Sequence, residues 1–114
     1  MKASTDLVIR VSKFLNAIAS PDEQLDDLSR SILFQVAEAQ LHSRGIRVSE
    51  VAKKNEHATA PTIYGRLKKL AELDLIKSTP DHKDGRAVLL TLTPRAQRQM
   101  KNAAKEIRRV CQAQ

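Results

Sequence analysis

Thr62, Tyr64, Arg66 and Lys68 stand at alternate positions between Thr59 and Leu70, and Lys83 and Arg86 follow in a second polar stretch. Side chains of this kind offer hydrogen bonds and positive charge, which suit recognition of a polyanion. A guanidinium such as that of Arg66 donates two parallel bonds to a guanine edge, worth roughly 1–3 kcal/mol of discrimination between bases. The hydroxyls of Thr62 and Tyr64 serve a phosphate or a base equally well, although the Tyr64 ring is as well suited to packing on a neighbouring hairpin. Ser49 and Lys68 read as phosphate clamps, and Thr59, Lys83 and Arg86 complete the candidate DNA-binding set. Gly65 is unusual inside a helix, where it costs about 1 kcal/mol against alanine. Its missing side chain allows a groove wall or a neighbouring helix to come close.

Charge supports a polyanionic partner. The 114 residues carry 20 Lys+Arg against 13 Asp+Glu, a net charge of +7. Residues 1–43 hold 4 basic and 6 acidic side chains, residues 44–93 hold 10 and 6, and residues 94–114 hold 6 and 1, so the positive charge lies in the middle and at the end. Aromatic residues are only 3% of the chain, too few for a platform that stacks single-stranded bases, and double-stranded DNA fits better. No nucleophile and base are suitably paired, no glycine-rich phosphate loop is present and carboxylates do not cluster, so an enzyme is not expected. His42, His57 and His82 lie far apart and match no metal-ligand spacing, and neither metal nor cofactor is expected. A lone cysteine, Cys111, and an amino terminus unlike a secretory signal suggest a reducing cytoplasm. Cys111 beside Arg108 and Arg109 is either a redox-responsive thiol or an inert residue at a helix end.

The elements that must position these groups are legible from periodicity. Leu7, Val11, Phe14 and Ile18 step by four, three and four, which predicts an amphipathic first helix. Ser20-Pro21-Asp22-Glu23 interrupts it and supplies a capping box. A second helix is predicted from about Asp26 to His42, burying Leu25, Leu28, Ile32, Leu33 and Val36 and closed by a left-handed Gly45. Ile46-Arg47-Val48 suggests a small strand, and Ser49 a cap for a two-turn helix through Lys54. After a turn over residues 55–58, Thr59 caps a helix that tolerates Pro61 in its first turn and buries Ile63, Leu67 and Leu70. Residues 75–78 and 87–92 predict two strands around a solvated, charged tip at residues 81–84, with Val88, Leu90 and Leu92 facing the core. Thr93-Pro94 opens a last helix with Ala96, Met100, Ala103, Ile107 and Val110 on one stripe.

The sum is a mainly α chain with a small β-ribbon (α+β), a winged helix-turn-helix flanked by amino- and carboxy-terminal dimerisation helices. It reads as one domain over residues 1–114: an N-terminal helix over 1–24 that makes a dimer contact, a winged core over 25–93, and a dimerisation helix over 94–114. Leu7, Val11, Phe14, Ile18, Met100, Ala103, Ile107 and Val110 are the candidate dimer residues.

Thr-x-Pro-Thr-Ile, then Arg-Leu-x-x-Leu-x-x-x-x-Leu-Ile, then Asp84-Gly85-Arg86, then Leu-x-Leu-Thr before a final helix, resembles the MarR family of bacterial winged-helix transcriptional regulators from about Leu25 to Met100. The resemblance implies a homodimeric, nucleoid-associated repressor on a pseudo-palindromic operator, with Arg86 reaching a minor groove and Asp84 orienting the wing. Asp74 stands where the family usually has glycine, and aspartate is among the few residues that tolerate a left-handed turn. The family's arginine early in the recognition helix falls on Gly65, which shifts base readout to Arg66 or Tyr64. With one helix at each end, a family-style small-molecule effector cleft is not expected. The competing functions are a winged-helix module for an acidic protein partner and a non-specific architectural or plasmid-maintenance DNA binder.

Overall fold

Local capping and a core built from the elements that follow the first helix set the architecture. The computed structural model describes residues 2–17, 25–42, 44–81 and 83–112. The elements run α1 (Lys2–Ala17), α2 (Asp27–Leu41), β1 (Ile46–Arg47), α3 (Val48–Lys54), α4 (Ala60–Glu72), β2 (Ile76–Asp81), β3 (Asp84–Leu92) and α5 (Pro94–Gln112). The strands form one antiparallel sheet in the order β1-β3-β2, in which the small strand expected after Gly45 pairs with β3 beside the two-stranded ribbon. Helices α2, α3 and α4 pack with this sheet, and α1 lies along α5.

Asp26 caps α2 by accepting the Ser29 amide at 2.8 Å. Ile32, Leu33, Val36 and Ala39 then turn one face of the helix into the core, where they meet Ile46, Val51, Ile63, Leu70, Leu75, Leu90 and Ala96. Full burial of each large aliphatic side chain contributes about 1.5–3 kcal/mol. The capping box at Ser20 and Glu23 and the stripe position Ile18 lie outside the described residues.

Three local expectations are corrected. Gly45 has no positive φ. It is small because β3 passes close: a Cβ there would sit 2.8 Å from Leu89 Cβ and 3.2 Å from the Leu90 carbonyl oxygen. Ser49 does not cap α3, which begins one residue earlier after Arg47, and the Arg47 amide donates to Glu50 Oε1 at 3.3 Å. Val88 is 43% exposed, whereas Leu90 and Leu92 are buried as expected. The strand outruns the core there, since Val88 pairs with Pro80 in the protruding hairpin.

Other expectations hold. Asp74 adopts φ 58°, a left-handed turn that aspartate tolerates. Thr93 Oγ1 accepts the Ala96 amide at 3.1 Å and donates to the Asp74 carbonyl at 2.6 Å, so one buried hydroxyl caps α5 and fastens it to the turn after α4. Gln40 Oε1 accepts the Leu92 amide at 2.9 Å, holding the end of β3 against α2. Between α2, the end of β3 and α5 lies a hollow of about 440 Å3, lined by Phe34, Ala37, Leu41, Leu92 and Met100 with the polar Glu38 at its wall. Among the described residues no helix is long and apolar enough to cross a membrane.

Candidate nucleic-acid interface

Helix α4 is fixed by its buried edge and offers the rest of its circumference. Thr59 caps it weakly, accepting the Thr62 amide at 3.4 Å, while the two threonine hydroxyls lie 2.9 Å apart. Pro61 occupies the first turn, where its missing N–H costs nothing. Ile63, Leu67 and Leu70 are buried, which places Tyr64, Gly65 and Lys68 on the open side by the 3.6-residue repeat. Tyr64 is 60% exposed. Nothing approaches within 4 Å of the position that a Cβ on Gly65 would take. The neighbouring-helix explanation for this glycine is thereby removed, and its open surface faces outward between two depressions, one lined by Lys68, Lys69 and Glu72 and the other by Asp26, Ser29, Arg66 and Lys69.

Helix α3 and the turn after it support α4 from behind. The Asn55 and Gln35 side chains exchange two hydrogen bonds, at 2.8 and 3.1 Å, and Asn55 also donates to the Val51 carbonyl at 2.7 Å. The turn between the two helices is therefore pinned to α2. Ser49 is exposed near the start of α3, and Arg47, Val48, Ser49 and Val88 line one small hollow, which puts the start of α3 beside the hairpin.

The hairpin has a buried anchor. Asp81, expected in a solvated tip, is 8% exposed. Its Oδ2 accepts from Arg47 Nη2 at 2.8 Å and its Oδ1 from the Lys83 amide at 3.0 Å. The tip folds back because a paired carboxylate there ties β2 to the residue that precedes α3. The Lys83 side chain is exposed beyond it. Arg86 and Asp84 belong to β3, and their side chains lie outside the described residues, as does His82.

Arg66 is placed differently from its neighbours. Its Nε lies 2.7 Å from Asp26 Oδ2, with the two side chains 37% and 49% exposed. Partial burial works to raise the Asp26 pKa, but the Ser29 amide and the Arg66 guanidinium outweigh it and the carboxyl is held below its ordinary value. Glu50 is likewise held low, first by the Arg47 amide and then, against desolvation, by Arg44 at 3.3 Å.

Three residues of this surface escaped the sequence reading: Arg47, Asp81 and the second role of Asp26. An aspartate directly ahead of a helical apolar run is a visible cap signal. Its pairing with Arg66, and that of Arg47 with Asp81, joins segments far apart in the chain and leaves no local trace.

The candidate dimer residues are also placed. Leu7 and Val11 are half-buried on α1, and Met100, Ala103 and Ile107 are half-buried on α5. Phe14 and Val110 belong to these helices with side chains outside the described portion. Among the described residues no group of three or more His, Cys, Asp or Glu side chains is arranged to hold a metal ion.

Comparison with known proteins agrees with this geometry. No curated protein matches the sequence. A MepR variant of S. aureus, solved bound to an oligodeoxyribonucleotide, is 18% identical and superposes with a TM-score of 0.69 over 96% of this chain and 74% of its own. A probable transcriptional regulator from Pseudomonas aeruginosa is 21% identical, with a TM-score of 0.59 over 92% and 79%. MarR itself is 22% identical, with a TM-score of 0.56 over 96% and 70%. The model of the winged helix DNA-binding domain matches residues 27–96. These residues carry the capped α4, the hairpin anchored at Asp81 and the core beneath them, and the chain belongs to the winged helix DNA-binding domain family, with the fold of the MarR-type regulators.

Proposed function

We propose that this protein is a sequence-specific transcriptional regulator of double-stranded DNA, acting in the cytoplasm as a homodimer on a pseudo-palindromic operator and repressing by occupying a promoter. The observation that carries the reading is α4 itself: Ile63, Leu67 and Leu70 are sealed in the core, while Tyr64, Gly65 and Lys68 stand open on the same helix. A helix so presented fits a major groove, with the hairpin reaching the flanking backbone through Lys83 and Arg86. Ser49 and Thr59, at the amino-terminal ends of α3 and α4, are suited to phosphates. A two-fold dimer would set its half-sites about one helical turn, roughly 10 bp, apart.

The test is recovery of bound sequences from a random duplex pool, followed by titration of the recovered duplex at several salt concentrations. The reading predicts one palindrome and a steep logarithmic fall of affinity with salt. Affinity without preference would instead indicate an architectural binder. A protein that retains no duplex at low salt would point to an acidic protein partner.

A further inference from the structure

The net charge of the protein belongs to two of its helices. Helices α1 and α5 together hold nine basic and two acidic side chains, whereas residues 18–93, with α4 and the hairpin among them, hold eleven of each. On α5, Arg98, Lys101, Lys105 and Arg108 step by three, four and three, and all four are exposed. By the helical repeat they lie opposite Ala96, Met100, Ala103 and Ile107, the buried and half-buried stripe of the same helix. Among the described residues no acidic side chain pairs with the four, while Arg109, just off the row, takes Glu106. We propose that this row is a second duplex-binding surface, which holds the phosphate backbone of another DNA segment while α4 and the hairpin occupy the operator, so that the protein bridges two duplexes. Bridging rests on the DNA-binding reading above.

Like charges three and four residues apart destabilise a helix. A row of phosphates relieves that repulsion. From Arg98 to Arg108 the helix rises about 15 Å, a length over which one strand of a duplex presents about four phosphates. Four cations thus meet about four anions at a regular repeat, which suits a charged polymer better than the scattered carboxylates of a protein surface. The apolar stripe of α5 is engaged by the core and by α1, so the helix has no free apolar side to lay in a membrane. The operator does not reach the row. Helix α4 meets α2 on its Asp26 and Ser29 side, and α5 lies across the apolar hollow from Phe34, Ala37, Glu38 and Leu41, about 100° further round α2. The open faces of α4 and α5 therefore look in different directions. Pairing of two copies through the apolar stripe leaves the row free as well.

The test replaces the row with glutamine, a good helix former: Arg98→Gln, Lys101→Gln, Lys105→Gln and Arg108→Gln in one protein, its helix content checked by circular dichroism. The duplex recovered from the random pool is fixed to beads and saturated with protein, and capture of a labelled duplex of unrelated sequence is measured at several salt concentrations. The wild type is expected to capture it with a logarithmic salt slope of about −3.6, for four phosphate contacts. The glutamine variant should lose that capture by about tenfold or more. It should hold the bead-bound duplex within about twofold of the wild type, because exposed charges more than about 8 Å away are largely screened. Lys101→Gln with Lys105→Gln should lose about half the slope, and Lys101→Arg with Lys105→Arg should capture like the wild type. The proposal is overturned if the glutamine variant captures the second duplex as the wild type does, or if it releases the bead-bound duplex in equal measure, which would join the row to the operator contact. Polyglutamate that displaces the second duplex more readily than unlabelled duplex does would overturn it in favour of an acidic protein. A wild type that holds the bead-bound duplex and captures no second one also overturns it, with the DNA-binding reading left standing. A wild type that retains neither duplex at low salt brings down that reading as well.

Discussion

Arg47 Nη2 donates to Asp81 Oδ2 at 2.8 Å and so joins the start of α3 to the last residue of β2. The strand register shifts between Pro80 and Asp81, so pairing between β2 and β3 alone does not fix the hairpin tip. The ion pair does, and the Lys83 amide bonded to the other carboxylate oxygen completes the turn. Asp81→Ala should destabilise the protein by about 1–2 kcal/mol, because it leaves the partly buried Arg47 and the Lys83 amide without this acceptor. Duplex affinity measured well below the melting temperature should fall as well. Asp81→Asn, which keeps an acceptor but no charge, should lie between the variant and the wild type in denaturant melts.

Arg86→Ala should weaken binding to every sequence and lower the salt slope by about one. Arg66→Ala should also relax preference at one base position, by roughly 1–3 kcal/mol. Titrating each variant with the recovered duplex and with single-base variants of it separates the two effects. If both proteins bind like the wild type, the interface lies elsewhere on the molecule.

Features set by a few neighbouring residues were legible before the structure. Thr59 and Thr93 announce their helices, the four-and-three stepping of Ile63, Leu67 and Leu70 identifies the sealed edge of α4, and Asp74 carries the left-handed turn. What escaped depends on chain crossings. Alternation placed Val88 in the core, but the core ends before the hairpin does. Gly45 has the composition of a helix stop, yet its smallness answers to Leu89 passing beside it. Asp81 belongs to a run of alternating charge that normally means solvent, and only the fold brings Arg47 to it. The stripes on α1 and α5 were readable, but periodicity does not say what covers a stripe, and part of the cover is the other helix of the same chain.

Two glycines should respond oppositely to the same substitution. At Gly65 a new Cβ meets nothing within 4 Å, so Gly65→Ala should stabilise α4 by about 0.5–1 kcal/mol through helix propensity. If this face meets a groove wall, the more stable variant binds DNA less well. At Gly45 the added carbon falls 2.8 Å from Leu89 Cβ and 3.2 Å from a backbone oxygen that cannot swing away. Gly45→Ala should therefore cost about 1–3 kcal/mol, the usual scale of overpacking. Thermal melts give the stabilities, and equal shifts of the same sign would contradict the contrast.

Acid should destabilise the fold in a defined way. Asp26 and Glu50 both have folded-state pKa values below their ordinary 3.8 and 4.5. A depressed carboxyl contributes stability that is complete above its unfolded value and is lost as pH falls through the folded one. Melting temperature should thus be insensitive to these two groups at neutral pH and decline once pH drops below the 4.5 of an ordinary glutamate, with Asp26 joining below 3.8. Asp26→Asn and Glu50→Gln should each flatten that acid limb in a melting series. An unchanged limb in both would show that neither carboxylate is coupled to folding.

Val8 distinguishes a helix that only covers its own chain from one that also meets a second copy. Leu7 and Val11 are half-buried on α1, but Val8 is 64% and Ile9 49% exposed, although both are large and apolar. In a lone protomer Val8→Glu changes a solvated position and should alter stability by no more than about 0.5 kcal/mol. In a two-fold dimer built on this face, each copy would bring a carboxylate into an apolar contact, and symmetry would apply the penalty twice. Sedimentation equilibrium should then report the dimer mass for the wild type and the monomer mass for Val8→Glu, with the helical circular dichroism signal retained. Operator affinity should fall with the loss of the second half-site. A variant that sediments with the wild-type mass would assign the dimer contact to another surface.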